Sequence, residues 1–157
     1  MNEIFVSSAS VRSHRIVDSV KKLADWGFRY IELSGGTKYY DGYEIDLINL
    51  KKEYNLSYRI HNYFPPPEVP FVINLASSNK DIWELSLNLC KNAIKLSKEF
   101  DSEFYGIHAG FLIDIDARKI GKNLKLAPIY NKKESLLRFK NGWLELQKFA
   151  SKDVTLY

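Results

Sequence analysis

The pattern of hydrophobic and polar positions alternates along the chain between short apolar runs and longer amphipathic segments. The apolar runs have the pattern of strands and cover residues 3–9, 28–36, 56–64, 103–110 and 152–157. The amphipathic segments have helical spacing and cover residues 15–26, 43–54, 80–100 and 133–150. The pattern therefore predicts five strands separated by four helices.

Local signals mark several ends of these elements. Ser13 and Asn79 stand where an N-cap is needed before the first and third helices, and Gly27 follows the first helix. Three prolines, residues 65–67, stop the third strand. A polar loop rich in Lys and Asn follows the fourth strand. The third helix is predicted to bury one face, which consists of Ile82, Leu85, Leu89, Ala93, Leu96 and Phe100.

Alternating strands and helices indicate an α/β protein with a parallel sheet. Two architectures compete: an open doubly wound sheet, which five strands would complete, and a (β/α)8 barrel, which normally needs about 250 residues. The length favours the open sheet. Against it, neither a Gly-x-Gly-x-x-Gly turn nor a Walker-type phosphate loop occurs. Polar residues instead stand at the C-terminal ends of strands one to four, at Ser7, Glu32, His61 and His108, as on the rim of a barrel.

Composition narrows the class of protein without identifying it. The 157 residues carry 23 Lys and Arg against 19 Asp and Glu, a formal charge of +4, and these charges are scattered. We see no basic stripe, so nucleic acid is not the expected partner. Because Cys90 is the sole cysteine, no disulfide can form within the chain, which fits a reducing compartment. No apolar stretch has the length of a membrane span, and we predict a cytoplasmic protein.

Two of the three histidines end neighbouring predicted strands. His61 and His108 are separated by a single crossover helix, and adjacent parallel strands lie about 4.8 Å apart. The two imidazoles could therefore share one metal ion or one substrate hydroxyl. Alternatively, each histidine merely caps its strand by bonding a backbone carbonyl. Two histidines alone do not form a zinc site, which needs three or four protein ligands.

Other side chains are weaker candidates. Glu32 precedes Gly35 and Gly36 and is either a rim carboxylate or a solvated loop residue. Tyrosines at 39, 40 and 43 could stack on a sugar or a base, or form a partly buried loop cluster. The segment FPPPEVPF is interpreted as a rigid rim loop rather than a polyproline ligand. Cys90, close to the apolar helix face, is interpreted as a buried structural thiol, and His14 as a surface residue.

The segment from RIHNYFPPP to HAGF resembles a known family, the xylose isomerase-like barrels, which include sugar isomerases and epimerases as well as endonuclease IV. The matching pieces are His61, the INLAS run at residues 73–77, Ser86, and the His108-Ala109-Gly110 triplet. The segment FRYIELSGG resembles the second strand of these proteins and places Glu32 at the rim.

The resemblance implies a (β/α)8 TIM barrel with a divalent metal, Mn, Mg or Zn, at its rim. In the endonuclease branch the histidines matching His61 and His108 are zinc ligands, and in the sugar branch such positions more often contact substrate. These two histidines are thus predicted as catalytic and metal-binding residues. Ser7, Glu32 and Tyr63 are predicted to contact the substrate.

The chain departs from the family at its C-terminal end. The family's metal-binding and proton-transferring carboxylates come mainly from strands five to eight, whereas this sequence ends with DVTLY, in strand five. Residues 1–157 are therefore interpreted as a single incomplete barrel domain, with four βα units and the start of strand five. Alone it lacks most of the expected ligands, so it could bind no metal and be inactive. Its open strand edges favour self-association.

Three functions follow from this interpretation. The first is a sugar or sugar-phosphate isomerase or epimerase in the intact parent protein, for which an aromatic rim of Tyr39, Tyr40, Tyr63 and Phe64 suits a polyol. The second is a zinc-dependent AP endonuclease, disfavoured because Ser7 stands where that branch has a histidine. The third is a non-catalytic fragment or interaction module.

Overall fold

All five predicted strands are present in the computed structural model, which describes residues 3–120, 122 and 127–157. Part of the predicted polar loop, residues 121 and 123–126, lies outside the described residues. Short 3-10 turns cover Ser8–Ser10 and Ala117–Lys119. In chain order the strands and α-helices are β1 (Val6–Ser7), α1 (Ile16–Asp25), β2 (Tyr30–Leu33), α2 (Tyr43–Tyr54), β3 (Ser57–Ile60), α3 (Lys80–Glu99), β4 (Phe104–Tyr105), α4 (Lys132–Ala150) and β5 (Thr155–Leu156).

The order of the strands decides between the two predicted architectures. The sheet runs β1-β2-β3-β4-β5, and every neighbouring pair is parallel. In a doubly wound sheet the spatial order of the strands reverses at a switch point, as in the orders 3-2-1-4-5 or 2-1-3-4-5. Here no reversal occurs, so the open doubly wound alternative is wrong. The sequential order is that of a (β/α)8 barrel, of which the chain forms four βα units and the start of strand five.

One face of the sheet is covered by helices and forms the core. Because side chains alternate along a strand, Ile31 and Leu33 of β2 and Tyr58 and Ile60 of β3 share this face, and all four are buried. Tyr105 of β4 joins them. The helices contribute the opposing layer, which includes Val20, Leu23, Leu47, Leu87, Ala93, Ile94 and Leu146.

The opposite face of the sheet carries large side chains that are only partly covered. The Arg59 guanidinium lies 4.2 Å from the ring centroid of Phe5 and 5.4 Å from that of Phe104. Phe5 also packs edge-on against Tyr30, with centroids 5.5 Å apart. In a closed barrel this face would form the interior. Here the cation–π contacts of Arg59 join Phe104 of β4 to Phe5, which immediately precedes β1.

Of the two predicted N-caps, the structure confirms Asn79 and not Ser13. Asn79 caps α3, its Oδ1 accepting from the backbone N–H groups of Asp81 and Ile82. Ser13 does not cap α1, which begins after Arg15 without a side-chain cap. Leu85 was wrongly placed on the buried face of α3 and is 49% exposed, because the buried stripe passes through Ser86, Leu87 and Cys90 instead.

Cys90 lies fully buried on α3, as predicted for a structural thiol. Burial raises the pKa of its thiol to about 11, although a hydrogen bond with Tyr105 acts in the opposite direction. The thiol is therefore protonated at neutral pH and is a poor nucleophile. Within the described residues, no helix has both the length and the apolar character needed to cross a bilayer.

Candidate functional site

The candidate site lies at the carboxyl ends of the strands. The register pairs Ser7 of β1 with Glu32 of β2. His61 follows β3, and its backbone N–H donates to the carbonyl of Leu33 at 2.9 Å. His108 follows β4 by three residues. Because all these strands are parallel, their polar end residues meet at one edge of the sheet.

Three of the predicted site residues line a single cavity at this edge. Glu32, His61 and His108 surround a volume of about 390 Å³, together with Asn62 and Tyr157. Gly106 and Ile107 border the same space. The structure therefore brings the two histidines and the carboxylate together, as the barrel interpretation predicted.

Partial burial and His61 both affect the pKa of His108. Partial burial lowers the pKa of His108, and the nearby positive form of His61 lowers it further. A lowered pKa keeps the His108 imidazole neutral near pH 7, so one ring nitrogen retains a lone pair that can bind a metal or accept a hydrogen bond. The Nδ1 atom of His61 is buried and has no hydrogen-bond partner among the described residues.

His61 lines both this cavity and a second one, in which Tyr63 also lies. The Tyr63 ring stands edge-on to His108, with centroids 6.0 Å apart, and its hydroxyl accepts a hydrogen bond from the Ile73 N–H at 3.2 Å. Burial raises the pKa of the phenol, which therefore stays protonated. Together with His61, Ser7, Ser34 and Thr37, Tyr63 lines this second cavity of about 590 Å³.

The second cavity is rich in hydroxyl groups. The Ser7 and Ser34 hydroxyls lie 2.7 Å apart in a mutual hydrogen bond. The Thr37 Oγ1 is buried and has no partner among the described residues. Backbone of Gly35 and Gly36 completes this wall. Ser7 thus lies next to the histidine cavity but belongs to its neighbour.

The predicted aromatic rim is only partly correct. Phe64 is fully buried, and its ring packs edge-on against Tyr43 at 5.8 Å. Tyr40 is covered by the Arg15 guanidinium, 4.1 Å from its centroid. Tyr39 lines a separate cavity, formed with the proline loop and α3. These side chains form a loop cluster, which leaves Tyr63 as the one member of the proposed set on the histidine rim.

A complete metal site is not present in the described residues. Among residues 3–120, 122 and 127–157, no group of three or more His, Cys, Asp or Glu is arranged to hold an ion. His61 and His108 supply two suitable donors, but a zinc site needs at least three. The side chains described here therefore do not form a metal site by themselves.

Sequence reasoning missed two asparagines near the histidines. Asn62 is 3% exposed, and neither polar atom of its side chain has a partner among the described residues. Asn74 is 1% exposed, and its side chain makes hydrogen bonds to four groups. The available signals were the position of Asn62 next to His61 and that of Asn74 inside the INLAS run. The role of Asn74 could not be predicted from them, because its hydrogen-bond partners lie up to 40 residues away in sequence.

The chain resembles solved structures of ketose epimerases. A D-tagatose 3-epimerase-like protein superposes with a TM-score of 0.70 at 21% identity, covering 96% of this chain and 50% of that one. An L-ribulose 3-epimerase gives a TM-score of 0.63 at 18% identity, with coverages of 99% and 48%. D-allulose 3-epimerase from Methylomonas sp., in complex with D-allulose, gives 0.57 at 15% identity, with coverages of 89% and 43%.

These likenesses establish the fold and its extent. The chain spans about half the length of the solved structures it matches. No curated protein sequence matches it. A family model described as the xylose isomerase-like TIM barrel matches residues 20–157, which is most of the chain. Together with the sequential parallel sheet, this match shows that the chain belongs to the xylose isomerase-like TIM barrel family.

Proposed function

We propose that this half-barrel carries part of the substrate site of a sugar or sugar-phosphate isomerase or epimerase. The observation that carries the proposal is the shared cavity of Glu32, His61 and His108 at the carboxyl edge of the sheet. Active sites of (β/α)8 enzymes lie at this edge. The likeness to epimerases of ketose sugars, one of them solved with D-allulose, supports a polyol as the ligand.

The residues present suit the recognition of a polyol. A neutral imidazole at His108 can accept a hydrogen bond from a sugar hydroxyl, and the Glu32 carboxylate can accept another. The Ser7 and Ser34 hydroxyls can both donate and accept, so they would suit the far end of the same sugar.

The chemical step needs more than these residues. Isomerisation or epimerisation next to a carbonyl requires one group to remove a proton and another to return it. A divalent ion, when bound, would polarise the substrate oxygens. We propose that His61 and His108 supply two donors to such a site, and that the remaining ligands and the proton-transferring carboxylates come from the half of the barrel that this chain lacks. The chain alone would then be inactive.

The test uses the chain joined to a second half-barrel that completes it. Incubation with D-allulose, D-tagatose or L-ribulose in D₂O should incorporate deuterium at the epimerised carbon, as mass spectrometry and NMR can detect. His108→Gln should abolish the exchange, whereas His14→Gln, at an exposed loop histidine, should not. Exchange that persists in His108→Gln would overturn the assigned role.

A further inference from the structure

The segment at residues 73–77 has a role that the sugar proposal does not use. We propose that Asn74 is a positioning residue that, with Tyr63, fixes the orientation of the His108 imidazole. The inference rests on the proposed ligand-binding role of His108, but the geometry behind it concerns the protein alone.

The Asn74 carboxamide fastens the backbone that follows His108. Its Oδ1 accepts from the Phe111 N–H at 2.9 Å and from the Ala76 N–H at 3.2 Å. Its Nδ2 donates to the carbonyl of Ile113 at 3.2 Å and to Asp114 Oδ1 at 2.8 Å. All four hydrogen-bonding positions of the amide are thus used, three of them on residues 111–114.

Asp114 holds the other side of this connection. Its Oδ2 accepts from the Ser77 hydroxyl at 2.8 Å and from the Tyr130 hydroxyl at 2.6 Å. Asn74 itself is held from behind, because its backbone N–H donates to Ser86 Oγ at 2.8 Å. The loop after β4 is therefore tied to Asn74 and Ser77 through buried or half-buried side chains.

Gly110 shows how closely the two segments approach. Its φ is +118°, and a Cβ built there would lie 2.2 Å from Asn74 Oδ1 and 3.1 Å from the Ala76 nitrogen. Only glycine fits this backbone without displacing the carboxamide. A single residue, Ala109, separates Gly110 from His108, so the fastened backbone begins almost at the histidine.

Ile73, the residue before Asn74, acts on the imidazole through Tyr63. The Ile73 N–H donates to the Tyr63 hydroxyl at 3.2 Å, and the Tyr63 ring packs edge-on against His108. Residues 73 and 74 therefore set both the ring beside His108 and the backbone after it. One short segment thus restricts the imidazole from two directions.

The direct test is NMR of the three histidines of the chain, without sugar or metal. Asn74→Asp replaces the Nδ2 donor by an oxygen facing Asp114, so two carboxylates repel each other. We expect the His108 ring resonances to shift and the nuclear Overhauser contact between Tyr63 and His108 to be lost. Adding Asp114→Asn restores a donor opposite residue 74 and the original net charge but leaves the Ile113 carbonyl without its donor, so both signals should return in part. His14, exposed in a loop, should stay unchanged throughout.

A second pair of variants separates positioning from general destabilisation. Asp114→Ala loosens the connection without adding charge and should also move the His108 resonances. Ser86→Ala removes the bond to the Asn74 backbone but spares the carboxamide, so it should lower the melting temperature with little change at His108. Unchanged His108 signals in folded Asn74→Asp, or in Asp114→Ala if the former does not fold, would overturn the proposal. Equal shifts in Ser86→Ala would do the same. These measurements use no sugar, so they stand even if sugar binding fails.

Discussion

The ring of Tyr63 stands edge-on to the imidazole of His108, with centroids 6.0 Å apart and ring planes at 83°. Tyr63 follows β3 and His108 follows β4, so the contact joins the ends of two successive βα units. Edge-to-face contacts of this kind hold two rings in a fixed relation. The histidine that the sequence singled out is therefore supported by its neighbours and is not a freely rotating surface residue.

His61 should contribute to the lowered pKa of His108 in the metal-free protein. Burial lowers the pKa of His108 below its usual value of 6.5, and the charge of His61 lowers it further. His61→Ala should therefore raise the pKa of His108 towards 6.5. An NMR pH titration with a chelator present measures this value. A midpoint that stays constant or falls would show that the two imidazoles do not interact.

The same lowered pKa fixes how stability depends on pH. The unfolded chain binds a proton at residue 108 at a higher pH than the folded chain does. The contribution of neutral His108 is therefore complete above pH about 6.5 and is lost as the pH falls from there through the lower folded value. Urea unfolding should show His108→Gln to be less sensitive than the parent chain in this window. An equal loss in both proteins would assign the effect to other groups.

Gly110 should tolerate alanine far less well than another glycine of similar backbone. Gly36 has φ of +97° and no heavy atom within 4 Å of a built Cβ, whereas Gly110 meets Asn74 Oδ1 at 2.2 Å. Gly36→Ala should cost about 1–2 kcal/mol of unfolding free energy from backbone strain alone. Gly110→Ala should cost about 3 kcal/mol or more, because strain and a clash add. Equal costs in urea unfolding would mean that the Asn74 contact is not tight.

The side chain of Asn62 should not stabilise the folded chain. Both of its polar atoms are buried without a partner among the described residues, which costs about 1–3 kcal/mol for a group left unsatisfied. Asn62→Leu, of similar shape, should leave the unfolding free energy unchanged or raise it. It should also weaken sugar-induced shifts at the adjacent His61. A clear loss of stability in Asn62→Leu would show that the amide already makes hydrogen bonds in solution.

Local patterns predicted the elements well because they depend on neighbours in sequence. The bounds of α2, Tyr43–Tyr54, match the apolar periodicity, and the Asn79 cap of α3 was recognised from its position. All five strands were predicted too long; at β1, for example, Ser8 leaves the sheet and its hydroxyl accepts from the Ser34 N–H. That contact joins residues 26 apart and leaves no trace in a local pattern.

The site residues also divide into those that a local sequence pattern predicts and those that depend on packing between distant segments. Glu32, His61 and His108 were found because each lies near the carboxyl end of an apolar strand, and parallel topology brings such ends together. The network of Asn74 and Asp114 was missed because it depends on how two loops pack. The burial of Phe64 and Tyr43 likewise depends on α2, the proline loop and α3 meeting in space.

The central claim is that His61 and His108 line a sugar-binding cavity, and titration of the chain with D-allulose followed by histidine NMR tests it most directly. The two rim histidines should shift in a saturable way while exposed His14 stays constant, and Glu32→Gln should weaken the response. Shifts that are equal at all three histidines, or absent at His61 and His108, would contradict the claim.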